Sequence, residues 1–408
     1  MNNSYIRNDC RLCNQSKLKL VLKLEDSPLC DAYLKWKRDQ EFYKLNLFRC
    51  SNCGFIQIDT VIDPEVIYKD YIYVTSSSQG LVDHFSSYSE DVLNNVEIQK
   101  ESLIIDIGSN EGTLLNFFQK RGYKVLGIEP SSKAANIANS NGIETICDFF
   151  NLDKVDEIIL KHGHASMITV NNLFANVDDL YNFTNAVEKL LDNNGVFVIE
   201  SSYLYDMIDN MVFDFIYHEH LSYFSILPLA SFFEQFNMHL VFVEKVNSKG
   251  GSMRYYWAKK SSNISPSSIV EKQLLIEKKY NLNENLFKDY SLKINNQKEI
   301  LLKFLDGNSD ENIVGYGASA TSTTLITHFQ CNEYFSYLVD DNIDKINTFS
   351  PGYHIPVYDT QKLYDDNIDI VVILAWRYSE MIIKNNDKFL KNGGKFIIPL
   401  PQFQIIEL

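Results

Sequence analysis

The stretch Asp106-Ile-Gly108-Ser-Asn110-Glu-Gly112-Thr-Leu-Leu, followed by Gly127-Ile-Glu129-Pro, decides the fold. The apolar run Leu103-Ile104-Ile105 enters a turn bracketed by glycines, and Leu114, Leu115, Phe117 and Phe118 then mark an amphipathic helix. A second short apolar run, residues 125–128, ends on an acid. In such a βαβ unit the small residues admit a ligand close to the backbone. An acid about 20 residues further on can hold two ribose hydroxyls. The third glycine of Gly-x-Gly-x-x-Gly is missing, which argues against a pyrophosphate guest. An aspartate ahead of the first glycine would repel phosphate, yet it suits a sulfonium and an amino-acid ammonium. The stretch therefore reads as an S-adenosylmethionine site, with a dinucleotide-binding Rossmann domain as the alternative.

Residue by residue, Asp106, Gly108, Ser109 and Gly112 are expected along the methionine part of the donor, and Asn110 belongs to the same cofactor-binding set. Glu129 is expected on the ribose diol. Asp148 and Phe149, after a short predicted strand at 143–146, would clamp the adenine. Asn171 and Asn172 follow the predicted strand 167–170, at the carboxyl end where ligands sit in open α/β sheets.

Working outward, strands are predicted at 103–107, 125–128, 167–170, 195–200 and 240–245, alternating with amphipathic helices, which implies a mainly parallel sheet. The Ser- and Pro-bearing segment 261–268 reads as a boundary. Beyond it, a helical stretch at 269–305 carries Leu274, Leu275, Leu286, Leu292, Ile300, Leu301 and Phe304. A second α/β block follows, with strands predicted at 313–316, 337–339, 368–374 and 395–398. The 408 residues thus divide into three expected domains, 1–75, 76–262 and 263–408. With 45% hydrophobic and 22% charged residues the chain is of ordinary globular composition. A formal charge of -15 opposes nonspecific phosphate-backbone binding, so no nucleic-acid partner is expected. No apolar run of spanning length appears, so no membrane partner and a cytoplasmic location are expected.

Cys10-Arg-Leu-Cys13 and Cys50-Ser-Asn-Cys53-Gly form a paired CxxC motif. Each half can place two thiolates on one ion, and two halves complete a closed tetrahedral zinc site with no position for water, hence structural and not catalytic. Cys30, Cys147 and Cys331 lack such partners.

Tyr217-His218-Glu219-His220-Leu-Ser-Tyr223-Phe gathers proton-handling side chains in one short run. Histidines two positions apart point away from each other on a helix and so do not make a metal pair there. If the run is extended, His218 and His220 share a face opposite Glu219. The chemistry that suits the set is proton abstraction, with Glu219 orienting and a tyrosine stabilising developing negative charge. Gly250-Gly-Ser252-Met-Arg254 is a tight turn entering a strand, and its cation suits a phosphate or carboxylate.

With these landmarks in order, the chain resembles the sugar-nucleotide C-methyltransferases over nearly its full length. The resemblance rests on the cysteine module, the donor motif, the Tyr217-His-Glu-His220 run, Gly250-Gly-Ser-Met-Arg254, Gly315-Tyr316-Gly317-Ala-Ser319 and Val339-Asp340-Asp341. It implies a class I S-adenosylmethionine-dependent methyltransferase fold with a small N-terminal zinc-binding domain and a second, C-terminal Rossmann-like domain. It implies a nucleotide-diphosphate sugar as substrate, methylated on a ring carbon alpha to a ketone. His220 then looks like the base, Tyr217 and Glu219 like its helpers, and Tyr73 like a junction tyrosine facing the substrate. Ser252, Arg254, Tyr316, Gly317, Ser319 and Asp340 would contact that substrate. Thr321 stands where the family favours Lys, and Lys249 where it often carries His. Methyl transfer to oxygen or nitrogen of a related sugar, a non-catalytic scaffold and an RNA-modifying enzyme are the competing readings.

Overall fold

A computed structural model describes residues 3–68, 75–77 and 79–408. The first block is built of short strands. It forms β1 (Ser4–Ile6), β2 (Leu18–Lys23), β3 (Asn46–Cys50), β4 (Ile56–Ile58) and β5 (Thr60–Ile62). β2 pairs antiparallel with β3, and an irregularity between Leu20 and Leu22 interrupts the alternation of its burial. β1 pairs with β5 in a separate two-stranded ribbon.

The donor stretch builds the centre of the second block. β6 (Leu103–Ile107) is buried along its whole length, as a parallel strand covered on both faces must be. Around it lie β7 (Lys124–Ile128), β8 (Thr145–Ile146), β9 (Ala165–Asn171) and β10 (Leu191–Ser202). Then β11 (Ser222–Tyr223) leaves this sheet and pairs with β4, placing Ser222 opposite Gln57 and Tyr223 opposite Ile56. β12 (Met238–Val246) and β13 (Ser252–Lys259) return, giving the sheet order β12-β13-β10-β9-β6-β7-β8. β13 runs antiparallel to both neighbours and the rest of the sheet is parallel. The expected class I methyltransferase fold is present.

The stretch expected as one helical run is two helices, Ser268–Tyr280 and Glu284–Asp306. Asn281 ends the first in a left-handed conformation, and Asn283 caps the second through two backbone N–H groups. Their buried stripe matches the expected one in part: Leu301 is fully buried, and Leu274, Leu286 and Phe304 pack against the core. Val270, Phe287, Tyr290, Ile294 and Leu305 face the core, whereas Leu275, Leu292 and Ile300 are exposed.

The last block contains β14 (Ile313–Tyr316), β15 (Leu338–Val339), β16 (Val357–Tyr358), β17 (Ile370–Ile373), β18 (Lys395–Ile398) and β19 (Gln404–Ile406). Their order is β16-β15-β14-β17-β18-β19, with only β19 antiparallel. Relabelled in chain order this is the 3-2-1-4-5-6 arrangement of a dinucleotide-type sheet, which opens a crevice where the order reverses. Among the described residues, no helix is long and apolar enough to cross a membrane.

Candidate active site

The crevices of both α/β sheets open into one cavity of about 850 Å³. From the second block come Asp106 near the end of β6 and Gly108 just after it, Glu129 after β7, and Asn171 and Asn172 at the end of β9. From the last block come Tyr316 at the end of β14 and Gly317 after it, Asp340 after β15, and Arg377 after β17.

On the donor side, Gly108 adopts φ +77, and a Cβ there would lie 2.9 Å from the Leu173 side chain. Gly112 adopts φ +79 and would meet Ile143 at 2.9 Å. Both positions therefore require glycine on conformational and steric grounds. The Glu129 carboxylate accepts from the backbone N–H of Asn110 (2.9 Å) and of Ser131 (2.8 Å), which fixes the donor loop to the end of β7. Asp106 accepts from Thr169 Oγ1 (2.6 Å), and burial pushes its carboxyl up to about 7. Ser109 Oγ and Asn171 Oδ1 are buried and hold no hydrogen bond among the described residues, so the wall offers polar atoms that a ligand can satisfy. Ser109, Asn110, Asp148 and Phe149 also line the cavity, with Asp148 held in an ion pair to Lys154 (2.9 Å). The donor set expected from sequence thus converges on the cavity, except that Gly112 supports the loop from behind, at the start of helix Thr113–Lys120.

One consequence follows for Asp106. A cationic donor stabilises the carboxylate, so below about pH 7 its binding must release a proton from Asp106. Donor affinity is predicted to rise with pH up to about 7 and then level off. Asp106→Asn should bind the donor at least about tenfold more weakly, with that pH dependence gone. Titration calorimetry between pH 5.5 and 8.5 checks this, and a variant with unchanged affinity would rule Asp106 out as a donor contact.

On the opposite wall, residues 217–220 form a turn and not an extended strand: the His220 N–H donates to the Tyr217 carbonyl at 2.9 Å. The two histidines accordingly separate. His218 turns away, bonds the Lys44 carbonyl (3.2 Å) and packs against Tyr43, which makes it a buried anchor for the first block. Tyr217, Glu219 and His220 face the cavity. His220 Nδ1 lies 3.2 Å from the Phe215 carbonyl, which can only accept, so the proton sits on Nδ1 and Nε2 presents a lone pair. Tyr217 Oη, 3.3 Å from Nε2, donates to it. Burial, assisted by the charge of Lys249, pushes the imidazole down to about 3 and keeps it neutral. Burial and nearby Asp31 push Glu219 up to about 7 against the pull of Lys345 and Lys249.

The four cysteine sulfurs lie within 4.8 Å of one another, with Cys10–Cys53 and Cys13–Cys50 at 3.6 Å. A tetrahedron with Zn–S bonds of about 2.3 Å has edges of roughly 3.8 Å, so the donor set fits zinc.

Family models match the chain in three consecutive parts: a zinc binding domain over residues 10–68, a methyltransferase domain over 83–242, and a C-methyltransferase C-terminal domain over 247–401. The chain is a S-adenosylmethionine-dependent methyltransferase that carries a C-methyltransferase C-terminal domain. It is 28% identical to C-methyltransferase NovU of Streptomyces niveus over 98% of this chain and 96% of that protein. Among solved structures, it is similar to a S-adenosylmethionine-dependent methyltransferase from Clostridium acetobutylicum. That match has 14% identity and a TM-score of 0.33, covering 48% of this chain and 95% of the other. It is also similar to magnesium protoporphyrin IX methyltransferase from Synechocystis with bound S-adenosylmethionine, at 10% identity and a TM-score of 0.33, covering 45% and 80%.

Two expected substrate contacts of this methyltransferase lie elsewhere. Arg254 is buried in its central sheet, bonded to Glu200 (2.9 Å) and Glu244 (2.9 Å) and stacked over Tyr88. Ser252 is fully buried and donates to the Ser248 carbonyl. Neither lines the cavity. Antiparallel pairing of β13 with β10 puts Arg254 directly opposite Glu200, and removing one partner of such a pair costs about 3–5 kcal/mol, a structural reason for the cation. Tyr73 lies outside the described residues.

The sequence reading also missed residues. Glu111 accepts from the backbone N–H of Thr75 (2.9 Å) and of Ser76 (2.6 Å), tying the chain after the first block to the donor loop. Arg377, on the cavity wall, bonds the buried Asp214 (2.8 Å) and Thr321 Oγ1 (3.1 Å), joining the last block to the segment before Tyr217. Its position at the carboxyl end of β17, beside the strand-order reversal, was the available signal.

Proposed function

We propose that the enzyme methylates a ring carbon beside the ketone of a nucleotide-linked keto-deoxysugar, with His220 removing that carbon's proton. The observation that carries this reading is the shared cavity, in which the donor loop, His220 Nε2 and the crevice of the last block face one another. The bound donor supplies an electrophilic methyl on a positively charged sulfur. His220 Nε2, left unprotonated because the proton sits on Nδ1 toward Phe215, takes the ring proton when the substrate displaces the Tyr217 hydroxyl from it. Glu219, as carboxylate, balances the imidazolium that forms, and Tyr217 holds the ring in place. A ketone beside the acceptor carbon is required, because an unactivated ring C–H is far too weak an acid for an imidazole.

The nucleotide diphosphate fits the last block. Gly317 (φ +112) brings backbone close to the cavity, and helix Ala320–Phe329, capped by Ser319, aims its N-terminus there. Arg377 brings a guanidinium to Thr321, where the family favours a lysine. Asp340 accepts from the Ala318 N–H, and Tyr316 donates to Asp341, which shapes the rim.

The test uses donor carrying a carbon-13 methyl, offered with nucleotide-linked 4-keto sugars and their reduced counterparts, with products read by NMR. A methyl on carbon, formed from keto sugars alone, is the expected result. A methyl on oxygen or nitrogen would replace this reading with O- or N-methylation, in which His220 deprotonates a hydroxyl or amine.

A further inference from the structure

We propose that Lys249 is a catalytic residue of this enzyme: its ammonium holds the ketone oxygen of the acceptor and stabilises the charge that gathers there when the neighbouring carbon is deprotonated. The inference rests on the keto-sugar reading above. In that step the C–H bond breaks, its proton passes to His220 Nε2, and the electron pair spreads onto the carbonyl oxygen. Lys249 donates a hydrogen bond to that oxygen without giving up its proton. The pair then returns to carbon and forms the new C–C bond to the methyl, while the methyl–sulfur bond breaks and its electrons stay on sulfur in neutral S-adenosylhomocysteine.

Four observations carry the assignment. First, Lys249 lines the cavity together with Glu219 and His220. Second, its backbone is fixed. Lys249 has φ 54, a left-handed conformation that a long side chain rarely adopts, between Ser248 and two glycines at φ 85 and 121. The turn closes through Gly251 N–H to the Ser248 carbonyl (2.9 Å), and is clamped by Asn210 on the Gly250 carbonyl (2.9 Å) and by the Tyr203 N–H on the Gly251 carbonyl (3.1 Å). A Cβ on Gly251 would lie 2.4 Å from Asp206, so the turn has no slack on that side. Such strain persists where surrounding contacts over-determine it, and it clusters at functional sites.

Third, the ammonium is uncommitted. Among the described residues Lys249 makes no hydrogen bond or ion pair, whereas Arg377, the other strong cation on the wall, is bound to the buried Asp214. The carboxylates that act on Lys249 are engaged or half-neutral. Glu200, at the end of β10, is held by Arg254 and His84, and Glu219 is pushed up to about 7 by burial and by Asp31. Fourth, His220 alone lacks this function: its Nε2 faces the proton to be removed, and a neutral imidazole offers the oxygen no charge. Burial, together with the charge of Arg377, brings the Lys249 ammonium down to about 8, so it is charged at neutral pH and lost just above.

The experiment measures exchange of the ring proton beside the ketone in deuterated water. The full enzyme is saturated with S-adenosylhomocysteine and a nucleotide-linked 4-keto deoxysugar, and NMR reads the exchange. The wild-type rate is expected to fall as pH rises through about 8. Lys249→Met should lose about 10²–10³-fold, the cost of removing one oxyanion donor, with donor affinity and zinc content unchanged. Lys249→Arg should keep most of the activity and carry it to higher pH, because a guanidinium stays charged. Exchange in Lys249→Met within threefold of wild type overturns the assignment, and so does a wild-type rate that climbs through pH 8, which would make Lys249 a base. If wild-type enzyme neither exchanges nor C-methylates any keto sugar, the substrate reading itself fails, and this assignment with it.

Discussion

Replacing His220 with Ala or Asn is expected to abolish methyl transfer while leaving donor binding intact. The loss should reach about 10²–10⁴-fold, the usual contribution of a positioned general base. The two functions separate because the residues assigned to the donor lie at and just after the ends of β6, β7 and β9, whereas His220 lies on the turn packed against the first block. Single-turnover transfer and donor titration, run on the same preparations, give the answer. Unchanged turnover would remove His220 as the base. The pH profile adds a second check. With its ring at about 3, His220 is neutral throughout the working range, so it contributes no acid limb. Glu219, raised to about 7, does: the carboxylate form stabilises the imidazolium, so turnover at saturating donor should rise through about pH 7. In Glu219→Gln that limb should vanish along with most of the rate.

Removing the metal is expected to have the other large effect. Structural zinc sites supply on the order of 10–16 kcal/mol of apparent binding free energy in small peptides, far more than a lobe of this size can replace by packing. Chelation, or Cys13→Ser, should release one zinc per chain and make the first block sensitive to proteolysis. The damage should also reach catalysis. Arg11, between two of the ligand cysteines, donates to the carbonyls of Ile58 (2.6 Å) and Leu221 (3.3 Å) and bonds Asp178 on the cavity wall (2.8 Å). Leu221 follows His220, so an unfolded knuckle releases the backbone that holds His220. Metal-free enzyme should therefore lose transfer but keep donor binding on the second block. If zinc-free protein stays protease-resistant and fully active, the metal is not what holds this lobe.

The two predictions draw on features that were legible to different degrees. The cysteine pairing, the strand-turn-helix of the donor loop and the acid after β7 are local, because each is fixed by residues within about one βα unit of one another. The strands at 313–316 and 395–398 were likewise placed to the residue, since short apolar runs bounded by turn residues leave little choice. The helical connection was read less well. Leu275, Leu292 and Ile300 keep helical spacing, but which stripe is buried depends on what packs there, and Phe287, Tyr290 and Ile294 won the core.

The active-site run shows the boundary most clearly. Its composition announced proton chemistry, and an extended run would have put His218 and His220 on one face. A turn closed by the His220 N–H separates them, and pairing of β11 with β4 directs His218 into the first block. Arg254 gave the opposite lesson: a lone cation after a glycine turn looked available, but sheet register set it against Glu200. Lys249, a few residues earlier, turned out to be the cation that faces the cavity.

The sequence by itself determined the class of fold, the donor and the metal, because these depend on glycines, acids and thiols close together along the chain. The tertiary structure decided which polar residues share the cavity, because that depends on strand order, register and a crossing strand that brings together positions more than a hundred residues apart. Asp31, Asp106, His220, Lys249 and Arg377 carry no common signature along the chain, yet they line one wall-to-wall space. The physical reason is that side-chain charge is local in sequence, whereas burial, which sets what each charge can do, is a property of the packed whole.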